Sequence, residues 1–133
     1  MKQFLLIACI LIGSFSAAHA GNGLTQSAND SAINAGKSAL NAKIAQLQTA
    51  YASNPSSTVS VQLTNDVEQL LRTGMSQTKN AINLAPSKTT KTSINSRYLS
   101  LELSRNAYHK LASNPGLNHS ELLRQAQAFY AKY

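Results

Sequence analysis

Residues 63–82 read LTNDVEQLLRTGMSQTKNAI, and their spacing decides the fold class. Leu63, Val67, Leu70, Leu71, Gly74, Met75, Thr78, Ala81 and Ile82 recur at helical intervals, which draws one stripe along a helix of 3.6 residues per turn. Just upstream, Val59-Ser60-Val61-Gln62-Leu63 alternates as a strand does. A lone strand of that length has no partner elsewhere in the chain, so the helical reading extends back to Ser57. Ala85-Pro86 closes the segment after Leu84, because the residue before a proline is pushed out of helical geometry. Gly74, lying in the stripe, leaves room for a neighbouring helix to come close.

The same reasoning extends to either side. From Ser27 to Ser53, Ile33, Leu40, Ile44, Leu47 and Tyr51 form a stripe filled in with alanines, the strongest helix former. Ser27 with Asp30 reads as its N-terminal cap, and Asn54-Pro55 as its stop. A third helix, starting at Ser87 or Thr92 and ending at Ala112, carries two apolar faces. Ile94, Tyr98, Leu101, Tyr108 and Ala112 form one; Leu99, Leu103 and Leu111 form the other, which predicts neighbours on two sides. Asn118-His119-Ser120-Glu121 resembles a capping box flanked by a Leu117–Leu122 staple, and opens a fourth helix whose stripe reaches Tyr133. Ala-Ser-Asn-Pro occurs at 52–55 and again at 112–115 and reads as one helix-stop device used twice. Four helices joined by short turns predict an all-α antiparallel bundle.

Residues 1–20 read as a cleaved signal peptide. Lys2 precedes the apolar run Phe4–Ile12, and Ala18-His19-Ala20 supplies the small–x–small pattern of a cleavage site. The run is far shorter than the roughly 20 residues a membrane-spanning helix needs. Leu6-Ile7-Ala8-Cys9 looks like a lipobox, but the apolar run continues past Cys9 to Ile12, which argues against a lipidated cysteine. Cleavage after Ala20 leaves residues 21–133 as one helical domain, exported to the periplasm or beyond, and removes the only cysteine. No transmembrane segment is expected after cleavage.

Charge is unevenly spread. The chain carries 12 Lys+Arg against 5 Asp+Glu. From residue 21 to Leu71, Lys37 and Lys43 face Asp30, Asp66 and Glu68. From Arg72 onward, nine basic residues face only Glu102 and Glu121. A one-sided basic surface attracts anionic partners.

Residue patterns for chemistry are weak. His109 and His119 lie on different predicted helices without ligand spacing, so no metal is expected. No serine sits in a Gly-x-Ser-x-Gly elbow, and no glycine loop suits a phosphate, so no cofactor is expected. The five acids have structural roles at hand: Asp30 and Glu121 at helix starts, Asp66 and Glu68 on a solvent face, Glu102 in reach of Arg105. An enzyme is therefore not expected. Lys79, Lys88, Lys91, Arg97, Arg105 and Lys110 remain as candidate anion-binding residues. On an ideal helix, Lys88, Lys91, Arg105 and Lys110 share about 140° of arc. Arg105 takes a stripe position between Leu101 and Tyr108 where an apolar residue is expected, and could line an anion-binding groove with Tyr98 and Tyr108.

With its Ala18-His19-Ala20 leader and cysteine-free Ala/Ser/Asn/Gln-rich helical remainder, the chain is similar to small basic exoproteins of Gram-negative bacteria, many of them type II secretion substrates. That resemblance implies a secreted accessory, virulence or host-interaction factor and carries over no functional residue. The leading expectation is a secreted non-enzymatic binding module whose basic C-terminal half contacts acidic lipid or phosphoinositide headgroups. The alternative is a protein-partner module, chaperone or inhibitor, using an exposed apolar helix face. Nucleic acid is disfavoured, since no aromatic–basic reading motif is present.

Overall fold

The computed structural model describes residues 24–133, so the signal peptide assigned to residues 1–20, Cys9 included, lies outside the described residues. Four helices follow one another: α1 (Gln26–Ser53), α2 (Thr58–Leu84), α3 (Lys88–Leu111) and α4 (Pro115–Lys132). There is no strand among the described residues. Turns of four, three and three residues reverse the chain each time, which gives the antiparallel bundle. Each helix packs on the next, and α4 returns against α1 and α2. No described helix is long and apolar enough to cross a membrane.

Local chemistry sets the helix starts. Ser57 Oγ accepts from Ser60 N–H at 3.1 Å, so the alternating Val59–Leu63 run is helix from its first turn. Ser87 does the same for Thr90 at 3.2 Å and fixes the start of α3 at Lys88. Two expected starts are corrected. Thr25, not Ser27, caps α1, accepting from Ala28 N–H at 3.0 Å. Helix α4 opens at Pro115, three residues before the supposed capping box, because a proline at the first helical position loses no hydrogen bond and already has helical φ. Asn118 consequently lies inside the helix and donates to Asn114 O, and Leu117 is 82% exposed rather than stapled. Glu121 pairs with Arg124 instead, whose hydrogen bonds pull its carboxyl down to about 2.

The core is one continuous cluster: Leu40, Ile44, Leu47 and Tyr51 from α1, Val67 and Leu71 from α2, Leu101 and Tyr108 from α3, and Leu122, Ala126, Phe129 and Tyr133 from the α4 end. Burying each of the larger side chains is worth about 1.5–3 kcal/mol. The glycine in the deciding stripe has the role its position suggested. A Cβ on Gly74 would meet the Phe129 ring at 3.0 Å and the Tyr133 ring at 3.1 Å. The two Ala-Ser-Asn-Pro turns lie at the same end of the bundle, where Gly116 comes so close to Ser56 Oγ that a Cβ would collide with it.

Two local networks satisfy most of the buried polar groups, and Thr78 donates to Gly74 O at 2.8 Å within its own helix. Thr64 Oγ1 donates to Ser60 O at 2.7 Å, so the Tyr51 hydroxyl must supply the hydrogen in its 2.5 Å contact with Thr64. Tyr108 O–H then donates to Thr64 O at 2.8 Å and ties α3 to α2. Towards the other end, Asn29 donates to Gln77 O at 3.1 Å and Gln77 Nε2 to Ala32 O at 3.2 Å.

Candidate functional site

Helix α3 shows α2 and α4 a single core-facing side, centred on Leu101 and Tyr108, both fully buried. The second apolar face expected from Leu99 and Leu103 finds no neighbour among the described residues: Leu99 is 51% and Leu103 74% exposed. This corrects the two-sided reading, while Leu111 is half-buried against the core. On a helix of 3.6 residues per turn, Lys91, Lys88, Leu99, Lys110 and Leu103 occupy about 120° of arc, opposite Leu101 and Tyr108. All three lysines are exposed. The outer face of α3 is thus a strip roughly 33 Å long, with lysines towards both ends and two leucines midway, and Asn95, Glu102 and Asn106 fall within the same arc.

Along the edge shared with α2 the strip borders a shallow groove of about 250 Å³ lined by Arg72, Met75, Tyr98, Glu102, Arg105 and Asn106. Arg105 Nη1 donates to Asn106 Oδ1 at 3.1 Å, a contact within its own helix that leaves the guanidinium at the groove. The expected Glu102–Arg105 ion pair does not form among the described residues; both side chains line the groove instead. Tyr98 lines it as expected, but Tyr108 does not, being fully buried and bonded to Thr64.

Below the groove, Glu68 is the clasp between the two helices. Its carboxylate meets His109 Nδ1 from α3 and Arg72 Nη2, at 3.5 Å, from its own helix. Asp66 is tied in the same way to Lys43 of α1 at 3.2 Å. Neither acid is the free solvent-face group expected; each joins two helices.

Of the six candidate basic residues, the structure gathers five along one edge. Glu68, Arg72, Met75 and Lys79 share about 60° of arc on α2, which sets Lys79 on the groove side near the first turns of α3. Lys88, Lys91, Arg105 and Lys110 belong to α3 itself. Arg97 is exposed but turns away, about 160° of arc from Leu99. Arg72 was missed, although its i+7 spacing to Lys79 places both on one face of α2. Glu102 is the acid that shares the groove with Arg72 and Arg105.

No protein-family model, curated protein or solved structure matches this chain.

The geometry limits what the surface can do. The groove is open and shallow, and its polar groups do not converge on an enclosed reacting position. Cations spread along a convex helix suit a broad anionic surface better than one small anion.

Proposed function

We propose that the chain is an exported, non-enzymatic binding module that docks on anionic surfaces, acidic lipid headgroups foremost, through the outer face of α3 and the adjoining edge of α2. One observation carries the reading: Lys79, Lys88, Lys91, Arg105 and Lys110, joined by Arg72, lie on the α2–α3 side of the bundle with two acids among them, Glu102 in the groove and Glu68 paired to Arg72 and His109. Each lysine or arginine near an acidic bilayer contributes about 1 kcal/mol. The leader-like residues 1–20 support export.

The test is co-sedimentation with phosphatidylcholine vesicles, with and without phosphatidylglycerol, across a salt series. Docking of this kind gives binding only to the acidic vesicles, weakening as salt rises. Equal binding to both, or none at low salt, sinks the reading. The exposed Leu99 and Leu103 also support a second reading, a protein-partner module using an apolar helix face. Salt-insensitive capture of a protein, with no affinity for acidic vesicles, would favour it.

A further inference from the structure

We infer that α3 lies flat on the bilayer and that Leu99 and Leu103 enter its acyl region; this rests on the lipid-docking reading above. The two leucines are one helical turn apart on the same side and are 51% and 74% exposed, whereas Leu101, two residues away on the other side, is fully buried. Lys88 and Lys91 precede them and Lys110 follows. Only an orientation with the helix axis parallel to the membrane lets both lysine groups reach headgroups together, and that orientation aims the leucines at the bilayer.

Side-chain shape favours a bilayer over a protein partner. Leu99 and Leu103 project from a convex face, so a protein would have to offer a matching cavity, whereas a fluid interface needs none. Lysine stems are long enough to let the ammonium groups stay at headgroup level while the leucines go deeper. Tyr98, half-buried at the groove edge, has the apolar body and polar tip that suit the interface. The helix is already formed and anchored from behind by Leu101 and Tyr108, so insertion requires no folding on the membrane. Helices of this type sink about 5–10 Å into the headgroup–acyl boundary.

The chain contains no tryptophan, so Leu103→Trp provides a single reporter at the deciding position. With phosphatidylcholine–phosphatidylglycerol vesicles its emission should shift to the blue and be quenched by lipids brominated on the acyl chain. Co-sedimentation with unshifted, unquenched emission would overturn insertion while leaving electrostatic docking intact; no co-sedimentation would overturn both. In the otherwise native chain, Leu99→Ser/Leu103→Ser should weaken vesicle binding roughly tenfold with an unchanged salt slope and unchanged helical circular dichroism. Unaltered affinity of that double variant would also overturn insertion.

Discussion

Tyr133 donates its phenolic hydrogen to Gln77 Oε1 in the buried space between α1, α2 and the end of α4. The contact is possible because glycines stand on either side of the ring. A Cβ on Gly36 would collide with the Tyr133 hydroxyl and come within 3.0 Å of Gln77 Oε1, and one on Gly74 would press on the ring at 3.1 Å. Gln77, 1% exposed, is thereby bonded to α1 and to Tyr133 at once.

Thermal or urea unfolding of Gly36→Ala, Tyr133→Phe and their double variant tests this junction. Tyr133→Phe leaves a buried amide oxygen without its donor and should destabilise by about 1–2 kcal/mol. Gly36→Ala gains about 1 kcal/mol of helix propensity but displaces the hydroxyl and overpacks, for a net loss of about 2 kcal/mol. Because the added methyl collides with the very hydroxyl that Tyr133→Phe removes, the double variant should lose less than the two singles together.

Alkaline pH should unfold the bundle through its tyrosines. Burial pushes the Tyr108 and Tyr133 hydroxyls well above the ordinary value of 10.0, and raises Tyr51 as well. The folded state therefore holds protons that the unfolded chain releases. The resulting stability is fully present below about pH 10 and is lost as pH rises further. Helical circular dichroism should hold to about pH 10 and then fall together with the appearance of tyrosinate absorbance. Complete tyrosinate formation with the helices intact would contradict this.

Much of the bundle was legible because its punctuation is local. Ser57 and Ser87 cap the helices that follow them, and the Asn54-Pro55 and Ala85-Pro86 stops fall where the helices end. The start of α4 was misread because Asn118 and Glu121 have capping-box spacing, yet Pro115 needs no such box. Leu99 and Leu103 were misassigned because periodicity records that a residue is apolar, not that a neighbour exists to cover it. Arg105 stood out as a cation in an apolar slot, but its groove also needs Arg72 and Met75, which lie on another helix, and no spacing along one helix reports that. Tyr108 was drawn into the site for the same reason: its hydroxyl partner, Thr64, is 44 positions away.

Glu102 is expected to oppose docking, since it puts negative charge into the groove with Arg72 and Arg105. Glu102→Gln should tighten binding to acidic vesicles about fivefold, corresponding to roughly 1 kcal/mol per charge near the surface. Vesicle titration at fixed low salt measures it.

Position should matter as much as charge. Lys91→Gln should weaken acidic-vesicle binding about fivefold, whereas Arg97→Gln, which removes an equal charge from the flank turned away from the strip, should change it less than twofold. Equal losses from the two variants would mean that the membrane senses net charge rather than this face.

The most direct measurement compares two triple variants of identical net charge for their affinity to phosphatidylcholine–phosphatidylglycerol vesicles. Lys88→Gln/Lys91→Gln/Lys110→Gln removes the lysines of the α3 strip; Lys37→Gln/Arg124→Gln/Lys132→Gln removes three cations from α1 and α4. Docking through α3 requires the first to lose roughly 100-fold and to show a shallower salt dependence, while the second stays within a few-fold of the native protein. Equal weakening of both would show that the positive charge acts only in sum, and that α3 is not the membrane-facing surface.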